Sequence, residues 1–400
     1  MRCLVGIDDT DSSLGSCTTY LAFRIASDLA PLLRVIPYPR LVRLNPNVPF
    51  KTRGNAAVSL LIETTSPRLA FERICSKVSE LADVAGGANS GVVFLPKACE
   101  SRLFLPLYKR ALTGIVSPYR VRRLLAEQDI WSFELGNGMG LVGAASALAF
   151  DESFDHTYEL IAYRRPMAFG TPRVLDSVSV REMEIATWPH TFNSYDHQKN
   201  KVLIAPHGPD PVFLGIRGDS PQAVLDGYGL VRHHEKLLGH MIYVTNQHTD
   251  AHLDSKLEWK AYSSGWAEGF VTDVSVGPGG HIYFSLRGGR EAVRCAVYEP
   301  TGDLRRMARL LAEGDHIRAY GGVRRPSKTH PKILNVEKID LISAKGEDTS
   351  LVRGTYITSP RANRHLTKPL ARYGSMPTRG VSCQVEGWLQ TPSVGNRALV

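Results

Sequence analysis

The sequence predicts a multidomain α+β protein. Three observations carry that expectation. The chain is long and apolar enough for several cores, its first 130 residues alternate short apolar runs with helix-period segments, and after about residue 260 it changes to closely spaced strand patterns. At 400 residues and 43% hydrophobic side chains there is material for roughly two to four domains.

Taken in order, Arg2 to Ile7 reads as a strand, and Leu21, Ile25, Leu29 and Leu32 mark one face of the helix that follows. Ala56 to Glu63 reads as a second strand. Pro67 then opens a helix with Phe71, Ile74 and Val78 inward, and Ser117-Pro118 opens another with Val121, Leu124 and Leu125 on one side. Between Tyr158 and Leu214 the pattern turns to extended segments, Tyr158 to Tyr163, Val202 to Ile204 and Val212 to Ile216, with Leu237 to Val244 helix-like beyond them. Five strand-like stretches follow: AEGFVTDVSV, HIYFSLR, AVRCAVYEP, HIRAYGGVRR and KILNVEKIDLIS, with a helix, Asp303 to Ala312, between the third and fourth. That order is expected of an OB barrel, a fold that commonly binds single-stranded nucleic acid.

The formal charge of +9 is unevenly placed: residues 349–385 hold six Lys or Arg and no acid. Such a basic segment suits phosphate contact, with Arg361, Arg364, His365 and Lys368 as candidates, alongside Tyr283, Phe284, Arg324 and Arg325 of the barrel. Because strand faces alternate, at most one of the adjacent Tyr283 and Phe284 can face solvent. The six cysteines form no C-x-x-C pair, and scattered single thiols fit a reducing, cytoplasmic setting. No signal-peptide pattern opens the chain, and its longest apolar stretch, Leu141 to Phe150, is far below the ~20 residues of a membrane helix, so no membrane partner is expected.

GIDDTDS, Gly6 to Ser12, is the strongest chemical motif. Asp8, Asp9 and Asp11 at a strand mouth would repel one another unless hydrated or bound to a hard cation such as Mg²⁺ holding a triphosphate; a capped surface turn is the plainer alternative. Ser12 closes the motif, and Thr18 stands at a helix start where free N–H groups attract phosphate, or simply serves as the cap. Lys51, Arg53 and Gly54 precede an apolar strand and, like Arg217 in GIRGDSP, fit a phosphate clamp or a solvated turn. Gly138, Gly140 and Gly143 spell G-x-G-x-x-G, but no second βαβ unit follows. Close backbone approach to a nucleotide or to a neighbouring strand is the better reading of that loop, and Gly138 and Gly140 are kept as phosphate candidates. Since no Walker A sequence occurs, any ATP is bound outside the P-loop fold.

GIDDTDSSLGSCTTYLA, RLVRLNPNVPFKTRGNAAV, GNGMGLVGA, TYELIAYRRP, GTPRVLDSVSV, PHGPDPVFLGIRGDSP and TNQHTDAHL together resemble the archaeal tRNA-Ile 2-agmatinylcytidine synthetase (TiaS) family. The resemblance implies a kinase-like catalytic domain at 1–135 and a ferredoxin-like domain at 136–255, possible partners in an interleaved arrangement. An OB domain at 256–345 and a basic C-terminal segment at 346–400 would follow. It also implies an ATP-dependent ligase that joins agmatine to C2 of the anticodon wobble cytidine of tRNA-Ile (CAU anticodon), through phosphorylation of the C2 oxygen, so that decoding moves from G to A. Asp8, Asp9 and Asp11 match the family's acidic motif, Thr18 its reactive threonine, and Lys51 and Arg53 its basic loop. Where the family carries a cysteine-rich zinc ribbon this chain has no cysteine, so zinc is not expected. No obligate protein partner is expected either. A non-enzymatic RNA-binding protein and a small-molecule kinase or phosphohydrolase are the competing classes.

Overall fold

A computed structural model of the chain describes residues 1–12, 15–51, 54–197, 199–289, 291–299, 301–328, 330–343, 345 and 365–367. It divides into two compact units, residues 1–196 with 200–251, and residues 197–199 with 252 onward. The first unit runs β1 (Arg2–Asp8), α1 (Thr18–Asp28), β2 (Leu33–Val35), β3 (Arg40–Arg43), β4 (Ala56–Thr64), α2 (Pro67–Leu81), β5 (Gly91–Leu95), α3 (Leu105–Thr113), α4 (Pro118–Glu127), β6 (Trp131–Glu134) and α5 (Gly140–Ala147). It continues through β7 (Thr157–Arg164), α6 (Ser177–Thr187), β8 (Thr191–Phe192), a small hairpin of β9 (Tyr195–Asp196) and β10 (Lys201–Val202), β11 (Val212–Gly218), α7 (Pro221–Leu230) and β12 (Leu237–Thr245).

Ten strands form one sheet in the order β6-β5-β1-β4-β3-β12-β7-β11-β8, with β2 also beside β4. All of its pairings are antiparallel except the seam between β3 and β12, where Val244 faces Arg40 and Thr245 faces Leu41. One sheet therefore runs through residues 1–135 and 136–251 alike.

Strand β1 is buried on both faces, which explains its unbroken apolar run. Cys3, Val5 and Ile7 pack with Leu21, Ile25, Phe71 and Ile74 of α1 and α2. On the opposite face Leu4 packs with Val121, Leu125, Leu141 and Ala144 of α4 and α5. Each such aliphatic side chain contributes ~1.5–3 kcal/mol when fully buried. Helices α6 and α7 cover the other half of the sheet through Val180, Met183 and Val224 against Leu160, Leu214 and Ile216.

Two expectations are corrected here. Leu237 to Val244, read as helix-like, is strand β12, because Ile242, Tyr243 and Val244 are of strand-favouring types and pair with β7. The extended reading of the region from Tyr158 to Leu214 overlooks α6, whose start is fixed by the Asp176 carboxylate accepting the Val178 and Ser179 N–H groups at 3.0 and 3.3 Å.

The second unit holds β13 (Ser264–Val276), β14 (Ile282–Arg287), β15 (Val293–Val297), α8 (Asp303–Ala308), β16 (His316–Arg324), β17 (Ile333–Ser343) and β18 (His365–Thr367). β13 pairs with β14 and β16, β14 with β15, and β16 with β17; a parallel contact, Cys295 to Leu334 and Ala296 to Asn335, closes the ring into a five-stranded barrel. β18 adds beside β17. Phe284, Leu286, Val297, Ile317 and Ile339 fill the interior. Residues 346–364 and 368–400, which hold most of the basic segment and the stretch without a zinc ribbon, lie outside the described residues.

Helix α5 lies unusually close to β1 and β5. A Cβ on Gly6 would sit 1.9 Å from the Ala144 carbonyl oxygen, and one on Gly91 would sit 2.2 Å from the Leu141 nitrogen. Neither backbone can yield without opening the layer. Gly6→Ala is therefore expected to cost about 3 kcal/mol or more. Gly229→Ala, in α7 where a Cβ meets nothing, should instead stabilise by about 0.5–1 kcal/mol. Urea denaturation of the two variants beside the parent checks both signs.

Candidate functional site

A cleft of about 350 Å³ in the first unit is lined by the end of β1, the start of α1, the basic loop after β3, α5, and residues of β7 and β11. Its acidic rim follows from the chain path. Asp8 is the last residue of β1, and its Oδ1 accepts the Asp9 N–H at 2.7 Å. Gly143 of α5 gives the carboxylate room, since a Cβ there would stand 1.8 Å from Asp8 Oδ2. Asp9 takes a left-handed backbone conformation with φ 55°, and Ser90 Oγ donates to its carbonyl at 2.9 Å. Burial, then the Asp9 and Asp11 charges, push the Asp8 carboxyl well above its ordinary value, against the Asp9 N–H bond that favours its ionised form. Burial and then Asp11 raise Asp9 to about 6, opposed by an N–H from Asn89.

Thr18 opens α1 at the cleft, and Thr10 Oγ1 donates to its hydroxyl at 3.0 Å. The helix has no side-chain cap and no acid in its first turn, so its uncapped N–H groups suit an anion. Below, the hydroxyls of Tyr163 and Tyr243 reach the Thr19 carbonyl at 3.0 and 2.8 Å and stand 2.8 Å from each other. Burial raises both phenols above their usual range, so they act as neutral hydrogen-bonding groups. Cys17 packs its thiol against Thr19 Oγ1 at 3.1 Å, and burial raises its pKa too, as befits an inert side chain.

The opposite wall is basic. Lys51 donates to the Pro46 carbonyl, and Arg43 Nη1 donates to the Gly54 carbonyl at 3.0 Å. Arg43 Nη2 and Arg217 Nε flank the buried carboxylate of Glu159, at 3.8 Å from Oε2 and 3.2 Å from Oε1 respectively. Asp210 also lines the cleft, its Oδ1 accepting the Val212 N–H at 3.0 Å. The loop behind it is gripped by Arg173, which donates to the carbonyls of Pro206, Gly208, Asp210 and Val212 at 2.7 to 3.0 Å.

Of the residues singled out in the sequence, Asp8, Asp9, Asp11, Thr18, Lys51, Gly54 and Arg217 all line this cleft. Ser12 does not: its hydroxyl donates to the Asp83 carboxylate. Gly138 and Gly140 do not line it either. Gly138 turns the chain with φ 72°, and a Cβ on Gly140 would meet the Gly91 nitrogen at 2.4 Å and the Asp8 carbonyl at 2.7 Å, so Gly140 serves close packing on β1 and β5. Arg53 lies outside the described residues. Arg43, Glu159 and Asp210 escape sequence reasoning; the only hint is that each sits inside one of the motif stretches, RLVRLNP, TYELIAYRRP and PHGPDP. Among the described residues no group of three or more acidic, histidine or cysteine side chains is arranged to hold a metal ion.

In the barrel, Phe284 is 2% exposed and belongs to the core, so it cannot stack on a base; the alternation of the strand turns Tyr283 outward, where it meets the Tyr298 ring edge-on at 6.2 Å. Arg324 and Arg325 are exposed. His365 begins β18 opposite Asp340, whereas Arg361, Arg364 and Lys368 are outside the described residues. Phe270, stacked on His316 at 4.8 Å, and Trp266, carrying the Arg318 guanidinium at 4.4 Å, form an aromatic and cationic surface that the sequence reading missed. Their i, i+4 spacing on one strand face was the available signal.

Residues 4–68 match the family model of the TiaS TCKD domain, and residues 138–252 that of the TiaS FLD domain. The 2-agmatinylcytidine synthetase TiaS of Cenarchaeum symbiosum, which acts on an isoleucine tRNA, is 43% identical over 344 residues, covering 84% of this chain and 76% of that protein. Its counterpart in Methanosarcina mazei is 34% identical over 425 residues, covering 92% and 97%. Among solved structures, a TiaS complex with its isoleucine tRNA, AMPCPP and agmatine superposes with a TM-score of 0.81 at 31% identity, over 95% of this chain and 99% of that one. A complex of TiaS with the same tRNA and ATP gives 0.80 at 35%, over 86% and 82%. With relatives this similar over nearly its whole length, the chain belongs to the TiaS family of isoleucine-tRNA 2-agmatinylcytidine synthetases.

Proposed function

We propose that this protein is an ATP-dependent ligase that attaches agmatine to C2 of the wobble cytidine of tRNA-Ile and acts in the cytoplasm. The observation that carries the reading is the single cleft with acids on one side and cations on the other, in a chain similar to TiaS proteins solved with isoleucine tRNA, ATP and agmatine. The cytosine C2 carbonyl is a poor electrophile with no leaving group. Phosphorylation of its oxygen supplies one, and the amine then displaces phosphate.

One or two of the carboxylates Asp8, Asp9 and Asp11 would hold Mg²⁺. Two of them are held above their ordinary pKa by burial and mutual repulsion, which a hard divalent cation relieves. A triphosphate-bound Mg²⁺ would take only one or two protein carboxylates and fill its shell with phosphate oxygens and water, so it needs no group of three protein ligands, and none is found among the described residues. Bound there, the ion would neutralise phosphate charge. Thr18 and the uncapped start of α1 receive phosphate oxygens, while Lys51, Arg217 and Arg43 face the charge that develops in transfer. Residues 1–135 are read as the kinase-like domain, 136–255 as the ferredoxin-like domain and 256–345 as an OB-fold whose outer aromatics and arginines meet RNA.

Nucleoside mass spectrometry of tRNA-Ile incubated with the protein, ATP, Mg²⁺ and agmatine tests this directly: agmatine-bearing cytidine is expected, and unmodified cytidine under conditions of demonstrable tRNA binding would sink it. Asp9→Asn should abolish modification while tRNA affinity, read by filter binding, stays within about twofold.

The same variant has a stability signature. The Asp9 carboxyl has its pKa raised on folding, to about 6, so the folded state holds the proton more tightly and stability falls as pH climbs through the window up to about 6. Without added metal, Asp9→Asn is expected to unfold at a higher temperature than the parent near pH 7.5. That advantage should vanish near pH 4, where the carboxyl is protonated anyway. Thermal scans at the two pH values distinguish a strained site from a structural turn, which would lose stability at both.

A further inference from the structure

We propose that Glu159 accepts a hydrogen bond from the amine end of the amine substrate, with Arg43 and Arg217 beside it holding the phosphate that this amine displaces. The inference rests on the ligase reading above and adds the residue that orients the nucleophile.

Glu159 lies on β7 with 3% of its surface exposed, yet it lines the cleft. Buried carboxylate oxygens are nearly always hydrogen-bonded. Among the described residues Glu159 Oε2 has no hydrogen-bond partner, and its ionic neighbour Arg43 Nη2 stands 3.8 Å away. Arg217 Nε, 3.2 Å from Oε1, also fails to make a hydrogen bond. The carboxylate is therefore held in place by two charges while one of its acceptor sites is left for a donor. Its position is built in: a Cβ on Gly215 of β11 would come within 2.9 Å of Oε1, so the strand keeps a glycine where the carboxylate lies.

The charges decide which donor. Two guanidinium groups and one carboxylate sum to +1, which disfavours an isolated cation and favours an anion paired with an N–H donor. A phosphorylated cytidine approached by a neutral primary amine offers that pair. The nitrogen lone pair forms the bond to C2, the C2–O bond breaks with its electrons passing to the oxygen, and this oxygen leaves as part of the phosphate, which also takes the proton shed by nitrogen. Glu159 does not take that proton; its hydrogen bond aims the lone pair. The arginines stabilise the departing dianion.

The test is steady-state kinetics of the full chain with tRNA-Ile, ATP and agmatine. Glu159→Gln is expected to raise the KM for agmatine by about tenfold or more while the KM for ATP stays within about twofold. Glu159→Asp keeps the charge between the arginines but withdraws the oxygen, and should shift the agmatine KM in the same direction; it carries the test if the glutamine variant does not fold. Equal shifts in both constants, or an unchanged agmatine KM in the variants, would overturn the proposal. Wild-type protein that incorporates no agmatine would overturn the ligase reading itself, a result visible before either variant is made.

Discussion

Gly6 of β1 and Ala144 of α5 approach so closely that a single methyl group at residue 6 would stand 1.9 Å from a carbonyl oxygen. That contact sets the distance between a central strand and the helix across its face, and much else depends on it. With α5 drawn down by Gly6, Gly91, Gly140 and Gly143, the Asp8 carboxylate at the strand end lies in the space that a side chain on Gly143 would fill. Leu4 and Val93, on the same face of the sheet, close the core against Leu141 and Ala145. The packing of the layer and the position of the first acid are thus one constraint, imposed by backbone on backbone where no side chain can adjust.

The acidic rim has a cost that the fold has to carry. Carboxylates raised above their usual pKa oppose folding at neutral pH, and the left-handed Asp9 adds backbone strain. The surrounding contacts over-determine the loop: Ser90 holds the Asp9 carbonyl, Thr10 ties to Thr18, and Ser12 ties to Asp83. A turn serving only as a connection would relax by replacing an acid or moving it into water. Retaining three acids under such bracing makes sense when a cationic ligand offsets their repulsion.

How much of this could be read from the sequence depends on how local its cause is. Helix α1 and all five barrel strands announce themselves through apolar period, since each is set by which face it buries, and strand β1 through the unbroken apolar run of an element buried on both faces. GIDDTDS is legible because three acids directly after an apolar strand are costly at short range. The G-x-G-x-x-G loop is only half legible: spacing indicates that backbone must come close to something, and only the fold shows the close approach of Gly140 to β1 and β5. Strand β12 is misread because its apolar residues fit a helical period until its pairing with β7 and β3 is known. Phe284 is ambiguous by construction, since alternation places one of two adjacent aromatics inside without saying which.

Glu159, Arg43 and Arg217 mark the limit of local reading. They come from β7, β3 and β11, and β3 is joined to β7 only through the parallel seam at β12. No window along the chain contains two of them, so no periodicity or spacing could assemble the group. Their charges are nevertheless complementary to the acidic rim across the same cleft. The acids at the β1 mouth and the +1 cluster around Glu159 lie on different strands of one sheet, and the seam that joins the two halves of that sheet brings both signs of charge into the same cleft.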